Sequence, residues 1–156
     1  MGFRIPFNLL GMVLVAGVGL AIGMGGATFH YAKGTSYLSN DPANCANCHI
    51  MQEQYDTWQK ASHHTIATCN DCHVPHDLIG KYLTKVENGY AHSKGFTLND
   101  FHEPIQLRPQ SKAILLNNCL HCHQEFVEPI QSHTALVSDQ LDCIQCHTSV
   151  GHGSPR

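Results

Sequence analysis

Charge is what this 156-residue chain has little of. Only 13% of its residues are Asp, Glu, Lys or Arg, against about a quarter in an ordinary soluble domain. Few charges together with 42% hydrophobic residues exclude a disordered tail, which needs the opposite balance. A formal net charge of −3 leaves no basic surface, which excludes nucleic acid as a partner. Charge is missing most completely from Leu9 to Phe29, 21 residues in a row. As a helix, at about 1.5 Å per residue, that run is about 31 Å long, one bilayer core. Gly17, Gly19, Gly23, Gly25 and Gly26 would weaken it in water. Lipid tolerates them, and Gly19 with Gly23 forms a small-xxx-small packing face. No Ala-x-Ala cleavage site follows, and the run exceeds the about 7–15 apolar residues of a signal peptide. Residues 1–30 are therefore expected to be an uncleaved membrane anchor and residues 31–156 a separate domain. Arg4 before the span and Lys33 after it favour a cytoplasmic N-terminus only weakly.

Unpaired cysteines are missing too. The 8 cysteines form Cys45/Cys48, Cys69/Cys72, Cys119/Cys122 and Cys143/Cys146, each pair followed at once by His49, His73, His123 or His147. This is Cys-x-x-Cys-His four times, the attachment motif of c-type haem. Two thiols at this spacing reach the two vinyl groups of one haem, and the adjacent imidazole lies where it can bind iron. Zinc sites, disulfides and redox dithiols also use paired cysteines, but none of them demands the following histidine. With 13 histidines in the chain, four such coincidences have a chance of about 5 in 100,000. Covalent haem of this kind is attached outside the bacterial cytoplasm, so the domain is expected in the periplasm of a single-pass inner-membrane protein.

The motifs also repeat. Cys45 to Cys69 and Cys119 to Cys143 are both 24 residues, and an offset of 74 superposes Asn44, Cys45, His49, Cys69 and His73 on Asn118, Cys119, His123, Cys143 and His147. A fixed offset indicates duplication. Two dihaem modules, about 41–77 and 115–156, are expected, joined by residues 77–118. The fold class is mainly α, with one transmembrane helix, short helices after the motifs and little β-structure. Gln52–Ser62 and Leu78–His92 have the clearest helical pattern. Roughly 32 residues per haem are too few for a conventional core, so the haems themselves must fill much of the interior.

Each iron needs a sixth ligand or an open position. Nine histidines lie outside the motifs: His30, His63, His64, His76, His92, His102, His121, His133 and His152. Bis-His ligation gives low-potential haems that transfer electrons. The first motif continues to Met51, where the second half has Glu125. Met51 is either a ligand that raises the potential or a packing residue, and spacing does not separate the two. Lys81, Lys85, Asn88 and His92 fall on one helical stripe, a pattern shared by a polar site and a solvated basic face.

An N-terminal anchor followed by four haem motifs, the first of them Cys-x-x-Cys-His-x-Met, resembles the NapC/NirT family of membrane-anchored quinol dehydrogenases. Tyr37-Leu38-Ser39-Asn40-Asp41-Pro42, Tyr55-Asp56-Thr57-Trp58-Gln59 and Lys85-Val86-Glu87-Asn88-Gly89-Tyr90-Ala91-His92-Ser93 carry the resemblance, which covers essentially the whole chain. The few residues after His152 resemble the nitrite-reductase branch of the family more than the NapC branch. The resemblance implies that Met51 binds the first iron and displaces His49. His63, or His64 in its place, is implied as distal ligand of the fourth haem and His152 of the third. A lysine from a partner is implied at the second, with His133 as an internal alternative. Lys85 and His92 are implied to flank the first haem, and histidine at position 92 leaves open whether it caps the iron.

The expected activity is oxidation of menaquinol, with four haems c passing electrons to the pentahaem catalytic subunit of an ammonia-forming cytochrome c nitrite reductase in a membrane complex. Nitrite is reduced on that partner. Lys85 would hydrogen-bond a quinol oxygen and His92 would take a proton. A NapC-type quinol dehydrogenase feeding another periplasmic reductase, such as nitrate reductase, is the alternative. A metal-binding interaction protein, or a soluble shuttle with residues 1–29 removed, are readings from other classes.

Overall fold

The computed structural model describes residues 8–133 and 142–153. Among them there are helices and turns and no strand, as the mainly α reading expects. The chain divides into two compact units, residues 1–36 and 37–156.

The first unit is α1 (Leu9–Tyr31), long and apolar enough to cross a membrane. Asn8 starts it by accepting the Gly11 N–H at 2.8 Å, which satisfies one of the free donors of a first turn. Apolar side chains cover its whole circumference, the pattern of a helix meant for lipid rather than for one core face. Arg4 lies outside the described residues.

The second unit begins with short 3-10 turns at Pro42–Asn47 and His49–Met51, which hold the first motif. Then follow α2 (Gln52–Trp58), α3 (Cys69–His73), α4 (Leu78–Leu98), α5 (Pro109–His133) and α6 (Cys143–Cys146). The helix expected over Gln52–Ser62 stops at Trp58. There the indole Nε1–H turns to the Ala67 carbonyl at 3.1 Å and closes the loop before α3. In α3 the Thr68 N–H and hydroxyl both donate to Asp71 Oδ2, at 2.8 and 2.7 Å. Asp71 lies between the second pair of cysteines, so this box winds the motif into one helical turn.

The helix expected over Leu78–His92 begins where predicted, because Asp77 accepts the Gly80 N–H at 2.7 Å. It runs six residues further, to Leu98. Asn99 ends it in the left-handed region at φ 52°, letting the Asp100 N–H return to the Gly95 carbonyl at 2.9 Å. The third motif departs most from the expectation of short helices. It lies inside the 25-residue α5, which starts with Pro109 at its first position and meets no glycine or second proline until Pro129.

Two polar anchors join these pieces. Asn118, buried, donates to the carbonyls of Cys72 (3.0 Å) and Val74 (2.9 Å), tying α5 to the end of α3. Lys112 pairs with Asp142 at 2.6 Å and holds the start of α6 against α5. Apolar burial is scant. Among the described residues only Ala61, Val74 and Leu116 are buried hydrophobics.

Candidate haem centres and the surface around the first

Each attachment motif is a local turn before it is a site. Cys69/Cys72 in α3, Cys119/Cys122 in α5 and Cys143/Cys146 in α6 are three apart on helical backbone, which puts both sulfurs of a pair on one side. In the first pair Cys45 lies in a 3-10 turn, and Cys48 follows it on extended backbone before the turn His49–Met51.

The tertiary structure then brings the pairs together. As thiols, Cys69 and Cys45 hydrogen-bond each other, and so do Cys119 and Cys143. These are the residue pairs that the 74-residue offset superposes. The Cys69 contact lowers Cys45 to about 7, against opposing burial, while the same bond and burial push Cys69 up. Burial raises Cys72 as well, with Cys119 and Cys122 of the next motif close enough to add to it. The four motifs therefore form a continuous series in chain order.

The implied distal histidines lie beside motif histidines. His63 is 5.9 Å from His123 between ring centroids, and His152 is 6.1 Å from His73. Two imidazoles on opposite sides of one metal, with bonds of about 2 Å each, have centroids about 6 Å apart. The facing motifs are the third for His63 and the second for His152, not the fourth and third that the resemblance implies. Hydrogen bonding of residues 150–153 back onto the α2 end is what carries His152 to His73. His64 is placed elsewhere, edge-on to Trp58 at 4.7 Å. His133 closes α5, and its side chain lies outside the described residues. Met51 is half-buried at the end of its 3-10 turn while His49 is exposed.

Covalent haem fits this arrangement. Three of the cysteine pairs sit three residues apart on helix, imidazoles stand at ligand spacing, and among the described residues there is almost no side-chain core that a porphyrin would have to displace.

Around the first motif, the stripe on α4 turns toward residues 37–41. Lys85 is 8% exposed, and its Nζ donates to the Ser39 carbonyl at 2.6 Å. Burial and the Lys81 charge hold its pKa below the usual lysine value, with Cys45 close enough to oppose them. His92 Nδ1 is 3.2 Å from the Tyr37 hydroxyl. Packing on one side of the ring and the Arg108 guanidinium push His92 below the ordinary imidazole value. Burial raises the Tyr37 phenol, and Cys48 and Cys45 are near enough to add to it. Asn88 accepts from Arg108, which also meets Glu87 at 3.4 Å. Lys81 faces another way, into a cavity of about 270 Å³ with Asn40, Asn70, Asp71 and His76.

The family resemblance pointed to Lys85 and His92, and their helical spacing with Lys81 and Asn88 agreed with it. Sequence reasoning gave no role to Tyr37, Ser39 or Arg108, which reach the same place from distant segments. The only sign of Tyr37 and Ser39 in the sequence was their place in a segment that carries the family resemblance.

A helix of membrane length and a helical unit whose eight cysteines all fall in Cys-x-x-Cys-His motifs define a c-type cytochrome that transfers electrons. The description "NapC/NirT cytochrome c family, N-terminal region" matches residues 7–156, and the chain belongs to that family. It is 33% identical to cytochrome c-type protein NrfH of Wolinella succinogenes, over 88% of this chain and 82% of that one. It is 32% identical to cytochrome c nitrite reductase subunit NrfH of Nitratidesulfovibrio vulgaris, over 85% of this chain and 84% of the relative. A chain in the crystal structure of the cytochrome c nitrite reductase NrfHA complex bound to the HQNO inhibitor superposes with a TM-score of 0.62, at 26% identity and 90% coverage of both chains.

Proposed function

We propose that this chain is a membrane-anchored quinol dehydrogenase that oxidises menaquinol and passes the electrons through four haems c to the catalytic subunit of an ammonia-forming cytochrome c nitrite reductase. The observation that carries the quinol site is the convergence of Lys85, His92 and Tyr37 beside the first motif. The similarity to NrfH proteins over most of the chain, and to a chain of the NrfHA complex, supports the partner. The α1 helix supports attachment to the inner membrane, and the four haem-attachment motifs support the periplasmic side for the second unit.

Eight cysteines hold the haems as thioethers. Met51, His73, His123 and His147 would hold the irons from the motif side, and His63 and His152 would add a ligand at the third and second motifs. The lysine of the partner implied at the second haem would instead serve the fourth, a motif beside which neither histidine lies. When bound, haem supplies one-electron redox chemistry, and the protein's part is to place the group and shape its surroundings.

Quinol oxidation releases two electrons and two protons, so a proton acceptor must stand beside the electron acceptor. Lys85 Nζ, already held by the Ser39 carbonyl, has further N–H bonds to offer a quinol oxygen. His92, whose pKa lies below the ordinary imidazole value, is the proton acceptor in this reading. Tyr37 holds the ring of His92 through its Nδ1.

Lys85→Leu tests the site. Menaquinol-driven reduction of the haems should be abolished, while dithionite still reduces all four. Unchanged quinol activity in that variant overturns the assignment.

A further inference from the structure

We propose that Thr57, together with the Gln54 carbonyl, is the device that fixes His152 as an Nε2 ligand and tunes the haem it binds. The inference rests on the reading of His152 as an axial ligand and adds the residues that make it one. His152 Nδ1 lies 3.0 Å from the Gln54 carbonyl oxygen and 3.3 Å from Thr57 Oγ1. A carbonyl can only accept, so Nδ1 carries the hydrogen. The Thr57 hydroxyl already has a use for its own hydrogen, with the Glu53 carbonyl at 2.8 Å and the Gln54 carbonyl at 3.1 Å. Toward His152 it therefore offers a lone pair. Both contacts select the same tautomer, which leaves Nε2 bare for iron on a ring 6.1 Å from His73.

The backbone repeats the message. Thr57 is buried, and its carbonyl accepts the Gly153 N–H at 2.9 Å. A Cβ at Gly153 would stand 3.3 Å from the Thr57 oxygen and from the Lys60 carbonyl group, all backbone atoms that cannot swing aside. Glycine thus lets the strand of chain after His152 lie against the end of α2. His63 has a parallel arrangement. Its Nδ1 is 3.2 Å from the Ser62 hydroxyl, whose hydrogen goes to the Val150 carbonyl at 3.5 Å. None of these partners was visible as a pair in the sequence, since Thr57 and His152 are 95 residues apart.

Accepting a hydrogen bond from the far nitrogen makes an imidazole a stronger donor to its metal. Stronger donation stabilises ferric iron, so loss of the Thr57 acceptor should raise the potential of one haem.

The experiment uses the full-length cytochrome in detergent with its haems attached. Thr57→Val, Thr57→Ser, Gly153→Ala and His152→Ala are compared by haem content, potentiometric titration and electron paramagnetic resonance. His152→Ala should convert one haem from low-spin to high-spin. Thr57→Val should shift one potential upward and change one low-spin signal, with Thr57→Ser restoring both. Gly153→Ala should weaken the same low-spin signal even if Thr57→Val does not fold. A low-spin spectrum in His152→Ala overturns the axial reading. A high-spin haem there, with wild-type potentials and spectra in Thr57→Val and Gly153→Ala, overturns the positioning role alone.

Discussion

Lys85 is an ammonium placed where water barely reaches, with one hydrogen bond to a backbone carbonyl to compensate. Its pKa is lowered by burial first and by Lys81 second. The opposing influence of Cys45 vanishes once that sulfur is a thioether, because a thioether carries no charge. Between the lowered folded value and the ordinary 10.5, the unfolded chain binds more protons than the folded one. Lys85 therefore costs stability most at low and neutral pH, and the cost is relieved as pH rises toward 10.5. Denaturant unfolding of wild type and Lys85→Met across this range should show Lys85→Met ahead at neutral pH and the gap narrowing upward. A gap independent of pH would mean that the ammonium is not strained by its burial. The family resemblance, with spacing on one helix in agreement, made Lys85 and His92 legible. Their partners Ser39 and Tyr37 were not, because 46 and 55 residues of chain separate them.

At the scale of elements, local capping explains where α1, α3 and α4 begin. Asp77 starts α4, the helix that presents Lys85 and His92. Asp77→Ala should cost about 1 kcal/mol, measurable as a lower unfolding midpoint, and should loosen the Lys85–Ser39 and His92–Tyr37 contacts with it. The α1 helix has a different dependence. Val15→Lys places a charge within a span whose remaining side chains are uncharged, at about 3 kcal/mol near a bilayer centre. Less protein should be recovered in the membrane fraction, with the rest degraded or soluble. Unchanged recovery would argue that α1 does not sit across the bilayer. An unbroken apolar run announced α1, and periodicity announced α4. It failed for α5, where the third motif is embedded in a long helix instead of starting a short one, since nothing in Cys-x-x-Cys-His itself marks a helix start.

For the whole molecule, the low side-chain charge and thin apolar core have one origin. A bilayer is meant to cover the first unit, and porphyrin is meant to fill the second. Denaturing mass spectrometry should find the polypeptide plus four haems, and a thiol assay on the unfolded holoprotein should find no free cysteine. Two haems, or reactive thiols at either pair of motifs, would break the reading. The haem propionates would add up to eight negative charges to the formal −3 of the polypeptide. Purified from membranes, the chain should bring with it a pentahaem partner; a molybdenum enzyme in its place would favour the nitrate-reductase alternative.

Short-range chemistry was decided by the sequence alone. Thioether attachment, the following histidine and a membrane-length helix depend only on neighbours a few bonds or turns away, so Cys45 to His147 and Leu9 to Phe29 could be read directly. Long-range pairing was decided by the tertiary structure. Which histidine faces which motif depends on how residues 150–153 return to α2, and this placed His152 beside His73 and His63 beside His123. The neighbours of His152 Nδ1, a carbonyl and a hydroxyl nearly a hundred residues away, likewise came from the tertiary structure. Such contacts arise from loop closure and packing, which leave no periodic trace in a single chain.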